Sequence, residues 1–150
     1  PVSGSVSIPI IAVIKSQHQH KKEVKRMDLF AQFAMAASYE AVNDSKLDIE
    51  NEDKDRIGVI IGSGIGGITT LTLEAMGYSE GGRVPRFNPF MIPKMIPDIA
   101  AGLVSIKYGL RGPNYATVSA CASSCHAMIN AFDFSISFTI IERTLDLCIQ

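Results

Sequence analysis

Apolar side chains recur at Met27, Phe30, Ala34, Ala37 and Ala41, spacings of three and four that line one face of a helix. The pattern sharpens from Glu23, and Asn43-Asp44-Ser45 supplies its stop. The acidic stretch that follows, as far as Arg56, reads as a solvated connection. Ile57-Gly58-Val59-Ile60-Ile61 is a short β-branched run that ends in Gly62-Ser63-Gly64-Ile65-Gly66-Gly67. That is the pattern of a buried strand entering a glycine turn. Residues 68–76 suit a helix, and residues 77–89 a loop rich in Gly and Pro. Pro97-Asp98 followed by Ile99, Leu103 and Ile106 predicts a helix closed by Gly109. After the Gly112-Pro113 turn, residues 114–120 predict a second strand and residues 122 to about 134 a third helix. Strand, helix, strand, helix in this order predicts an α/β layered architecture. Residues 1–20 are loosely patterned, and no repeat or low-complexity tract interrupts the chain.

The chain has 150 residues, 47% hydrophobic and 19% charged, which suits one domain with a real core rather than disorder. A net charge of -1 excludes nucleic-acid binding by overall positive charge. The charges are nonetheless segregated. Lys15, Lys21, Lys22, Lys25 and Arg26 crowd one segment, and Asp44, Asp48, Glu50, Glu52, Asp53 and Asp55 the next. No segment has the roughly 18 apolar residues needed to span a bilayer. Residues 8–14 lack the flanks of a signal peptide. Three cysteines, Cys121, Cys125 and Cys148, form no disulfide framework and fit a reducing cytosol. A cytoplasmic protein without membrane contact is expected.

Cys121 stands where the second strand gives way to a helix. Backbone N–H groups at a helix start lack intrahelical partners, and the dipole places partial positive charge there. Both favour a thiolate, the nucleophilic form, and such amides can hold an oxyanion. Ser119, Ala120, Ala122, Ser123 and Ser124 are small and leave room for a substrate carbonyl. Composition alone favours a different reading, a small buried hydrophobe.

A resemblance separates the two. Arg111-Gly112-Pro113-Asn114-Tyr115 leading into Ser119-Ala120-Cys121-Ala122-Ser123-Ser124 looks like the active-site signature of β-ketoacyl-[acyl-carrier-protein] synthases. The segment from Ile57 to Gly67 resembles that family's glycine-rich stretch. Asn88-Pro89-Phe90-Met91-Ile92-Pro93 and Ala100-Ala101-Gly102 resemble its Pro-Phe-x-x-Pro and Ala-Gly stretches. The likeness runs in register over about residues 21–134, whereas residues 1–18 and 135–150 diverge.

What the resemblance implies is a thiolase-like fold, its N-terminal half incomplete here, and an elongating enzyme of the synthase II kind. Cys121 would take an acyl group from acyl carrier protein, and a malonyl carrier protein would lose CO2 and attack the thioester. No cofactor or metal is implied, and a homodimer is. Ile65 stands at the position that gates the acyl pocket, and Phe90 is a second substrate-binding candidate. Lys22, Lys25 and Arg26, spaced i, i+3 and i+4 on a helix face, match the carrier-docking patch that precedes a Met-Asp pair like Met27-Asp28. Arg83, Arg86 and Lys94 are secondary contributors. The family also needs two histidines and a lysine from later segments. The chain is therefore expected to be a truncated or misassembled product, or a fragment, that does not complete the condensation by itself. A polyketide ketosynthase fragment is the nearest rival, and a remnant that keeps a carrier-binding or dimer surface is the rival of another class.

Other features have plainer readings. Gly62-x-Gly64-x-x-Gly67 satisfies a dinucleotide fingerprint, but the expected acidic partner, Glu80, falls in a loop by pattern. His126 is expected to pack or hydrogen-bond rather than act as a base. Cys125 and His126 lack the second cluster that zinc needs. His18 and His20 belong to a solvated, irregular segment.

Overall fold

The computed structural model describes residues 24–135 and 139–140. Helix α1 (Leu29–Ser45) begins after Asp28, whose backbone is extended, and ends at Lys46 in the left-handed region with its N–H on the Asn43 carbonyl. Its buried face holds Phe30, Ala31, Ala34, Met35, Ala36, Ala37 and Ala41. The alanines let α1 lie close against helix α4 (Ile99–Tyr108), whose Ala100 and Ala101 are fully buried. Met27 belongs to the core but precedes the helix, so the apolar stripe runs past the helix's true start. Lys25 and Arg26 occupy a turn instead of the expected helix face. That turn is closed by Met27 N–H on the Val24 carbonyl and by Gln32 Nε2, which donates to the Val24 and Met27 carbonyls. Lys22, Cys148, His18 and His20 lie outside the described residues.

After a 3-10 turn (Lys54–Arg56), strand β1 (Ile57–Gly62) forms the middle of a parallel sheet that has three strands among the described residues. Strand β2 (Asn114–Thr117) pairs on one side with Val59 opposite Asn114 and Gly62 opposite Thr117. Strand β3 (Thr139–Ile140) pairs on the other, Ile57 opposite Thr139. A parallel sheet is covered by helices, which is why β1 reads as an unbroken apolar run. Ile57 and Val59 join Met27, Phe30, Met35, Ile49, Val104 and Leu110 in one core.

Helix α2 (Ile68–Glu80) follows the glycine turn and is longer than the pattern predicts. It passes through Gly77, where a side chain would meet open space, and Glu80 closes it instead of lying in a loop. A short helix α3 (Met91–Met95) follows the Asn88-Pro89 stretch. Helix α4 closes at Gly109 with φ 71°, a left-handed position that suits glycine, as the sequence predicts. Helix α5 (Ser123–Ser135) packs on β1 and β2. Among the described residues no helix is long and apolar enough to cross a membrane.

Candidate active site

The site is built where β1 and β2 end side by side and hand over to turns. Thr117 is the last residue of β2, three residues earlier than the pattern predicts. The chain then turns through Ser119 and through Ala120, which has φ 49°, a left-handed value uncommon for a residue with a side chain. A 3-10 turn (Ala120–Ala122) carries Cys121 and delivers the chain to α5. Cys121 is exposed, so the thiol is no buried hydrophobe. It stands at the N-terminal end of α5, where the helix dipole favours negative charge.

Two glycine contacts bring the other strand end close. A Cβ on Gly62 would stand 2.6 Å from Ser124 N, so only glycine lets β1 end against the first turn of α5. Beyond it, Ser63 N–H donates to the Thr117 carbonyl at 3.1 Å and Ser63 Oγ accepts from Gly66 N–H. Gly64 faces Ala120, with the carbonyl oxygen 3.6 Å from an added Cβ. The β1–α2 turn that carries Ile65 therefore sits beside the turn that carries Cys121. Ile65 is 64% exposed.

The same close approaches explain the glycine cluster without a nucleotide. Gly66 has φ 82°, and an added Cβ there would meet the Met95 carbonyl at 2.5 Å. One on Gly67 would meet the Lys94 carbonyl at 2.4 Å. Gly67 N–H donates to the Met95 carbonyl at 2.9 Å. The glycines seat α3 against the start of α2.

Side-chain bonds fix the cysteine turn. Thr117 Oγ1 donates to the Ser123 carbonyl at 2.8 Å, and Ser123 Oγ donates to the Ala120 carbonyl at 2.7 Å. Ser119 N–H donates to Ser123 Oγ at 2.8 Å. His126 Nδ1 lies 2.6 Å from Ser119 Oγ, so His126 hydrogen-bonds as the sequence predicts. The N–H groups of Ala122 and Ser123 are engaged by the Ser119 and Ala120 carbonyls. Those two amides are thereby removed from the set expected to face an oxyanion.

Phe90 lies just before α3, beneath the Arg26 guanidinium, whose carbon is 5.2 Å from the ring centroid. Lys94 Nζ donates to the Lys25 carbonyl at 3.3 Å. Lys25, Arg26 and Lys94 thus meet on one surface although 69 positions separate Lys25 from Lys94. A cavity of about 360 Å³ lies elsewhere, lined by Leu73, Glu74, Tyr78, Val84, Arg86 and Phe87. Neither Cys121, Ile65 nor Phe90 lines it.

Sequence reasoning missed the Thr117, Ser119 and Ser123 bonds and one buried carboxylate. Asp28 is 5% exposed and accepts from Thr70 N–H at 2.7 Å and from Thr70 Oγ1. Gly67, the cap residue of α2, has no side chain to offer its helix, so Asp28 caps that helix from a distance. The Met27-Asp28 pair was visible, but its partner lies 42 residues away and left no local signal.

Comparison with known proteins gives the family and the fold. The family described as "Beta-ketoacyl synthase, N-terminal domain" matches residues 16–137. The 3-oxoacyl-[acyl-carrier-protein] synthase 2 of Staphylococcus aureus strain N315 is 49% identical over 115 residues, 77% of this chain and 28% of the relative. Its namesake from Synechocystis sp. is 46% identical over 117 residues, again 28% of that protein. The chain thus spans under a third of the length of these relatives. Among solved structures, the ketosynthase of a type II polyketide assembly, complexed with its acyl-carrier protein, superposes with a TM-score of 0.74 at 18% identity. That match covers 87% of this chain and 41% of the other. A β-ketoacyl synthase from Burkholderia phymatum gives 0.66 at 24% identity, covering 80% and 30%. The chain belongs to the β-ketoacyl synthase family and has the N-terminal part of the ketosynthase, thiolase-like fold.

Proposed function

We propose that this chain carries the nucleophile of a β-ketoacyl-[acyl-carrier-protein] synthase of fatty-acid elongation. The observation that carries the reading is the exposed Cys121 thiol at a strand–turn–helix junction, one residue after left-handed Ala120. The Cys121 thiolate attacks the thioester carbonyl of an acyl carrier protein and expels the carrier thiolate, leaving an acyl-enzyme. Malonyl carrier protein then loses CO2, and its carbanion attacks the acyl-enzyme carbonyl. Cys121 leaves as thiolate, and β-ketoacyl carrier protein is the product.

Ile65, on the turn beside Cys121, and Phe90, ahead of α3, border the acyl chain in this reading. Lys22, Lys25 and Arg26, joined by Lys94, receive the acidic carrier. The close relatives named as 3-oxoacyl-[acyl-carrier-protein] synthases favour this over a polyketide role, because the polyketide neighbour is only 18% identical. The solved complex of that neighbour with its carrier protein supports a carrier as partner. A homodimer built along the β2 edge of the sheet completes the proposal. The test is β-ketoacyl product formed from acyl- and malonyl-carrier substrates by the chain extended with a relative's later segments, which bring the histidines and lysine that the condensation needs, and by its Cys121→Ala variant. Loss of up to about six orders of magnitude in turnover is expected for the variant, the scale seen when a serine protease loses its nucleophile. Equal turnover would remove Cys121 from the reaction.

A further inference from the structure

We propose that Ser119 and His126 form a latch that positions the Cys121 thiol, an inference that rests on reading Cys121 as the nucleophile. Ser119 precedes Cys121 by two residues and His126 follows it by five. Their contact, Oγ to Nδ1 at 2.6 Å, therefore closes the chain around the thiol. Inside that loop Ser119 N–H is held by Ser123 Oγ, Ser123 Oγ holds the Ala120 carbonyl, and Ala122 N–H holds the Ser119 carbonyl. Ala120 has φ 49°. A residue with a Cβ keeps that conformation only where its surroundings over-determine it. Freed of its bonds, the turn relaxes and carries Cys121 with it.

The neutral imidazole accepts from the Ser119 hydroxyl at Nδ1, and a ring protonated there donates to the same oxygen. The latch holds in either state, so its work is orientation and not proton transfer. Both residues are positioning residues. The ionisable groups on the elements packed around the turn are Cys125, His126 and Asp133 on α5 and Tyr115 on β2, while β1 and the glycine turn carry none.

Cys125 is exposed on the regular helix and serves as an internal reference. The full chain is labelled with limiting iodoacetamide over a range of pH, and labelling at Cys121 and Cys125 is mapped by mass. Ser119→Ala and His126→Ala are expected to lower the Cys121-to-Cys125 labelling ratio about fivefold, the factor carried by one ordinary hydrogen bond. They should also move the pH midpoint of Cys121 labelling. His126→Asn, whose amide reaches where Nδ1 stood, and Ser119→Thr should restore both. His126→Gln, which keeps bulk but misplaces the polar group, should not, and it stands in for alanine should His126→Ala fail to fold. Folded variants with the wild-type ratio and midpoint, or lower melting temperature with an unmoved midpoint, would overturn the latch. A wild-type chain labelled faster at Cys125 would instead overturn the nucleophile reading beneath it.

Discussion

Asp28 is the residue whose position most exceeds what its local sequence suggests. Its carboxylate serves the α2 N-terminus from the start of α1, and both Thr70 donors depend on it. Asp28→Ala should lower stability by about 1–3 kcal/mol, because a helix cap is lost and a buried N–H is left unpaired. The readout is the denaturant midpoint at unchanged m-value. Tyr108 is the opposite case. Its hydroxyl is buried with no hydrogen-bond partner among the described residues, and burial, aided by Tyr39, pushes its pKa above the ordinary 10.0. A raised pKa means the folded state keeps the proton that the unfolded state releases. The stability this contributes is complete below the ordinary tyrosine range and is lost as pH rises through the raised value. Tyr108→Phe should therefore be neutral or stabilising near neutrality and should flatten the alkaline decline in melting temperature. An equally steep decline in the variant would place the cause elsewhere.

At the scale of elements, Gly62 and Gly102 carry opposite predictions. A Cβ on Gly62 would lie 2.6–2.7 Å from the Ser123–Ser124 backbone, and α5 must shift to admit it. Gly62→Ala should cost about 1–3 kcal/mol, as overpacking does, and slow Cys121 alkylation in the folded protein. Gly102 lies in α4 with open space beside it, and Gly102→Ala should stabilise by about 0.4–1 kcal/mol. Equal midpoints for the two variants would contradict this packing. These glycines also show what the sequence discloses. The apolar run of β1, the Gly109 stop and the Cys121 strand-to-helix junction follow from short-range pattern, and the structure has them. The start of α1 does not, because Met27 is apolar and buried while the backbone at Asp28 is extended toward Thr70. The early end of β2 follows from Ala120 and the serine bonds, and no periodicity encodes those. That Gly66 and Gly67 meet α3 rather than a phosphate is likewise set by residues some thirty positions away.

For the whole molecule, the surface gathers what the chain disperses. Lys25, Arg26 and Lys94 converge although α1, β1, α2 and a loop intervene. Exposed charges act through screened attraction, so their effect on an acidic carrier is steering and orientation. Reversing Lys22, Lys25 and Arg26 to Glu should weaken acyl-carrier binding at low salt and remove much of its salt dependence. Unchanged affinity in a titration at low salt would leave the patch a solvated face. The central claim remains the cysteine. The full chain is mixed with an acyl carrier protein bearing a thioester-linked acyl group, without malonyl donor, and the acylated peptide is located by mass. The account predicts one acyl group on Cys121, released by hydroxylamine and absent from Cys121→Ala. An acyl group on Cys125, or acylation that persists in Cys121→Ala, would contradict it.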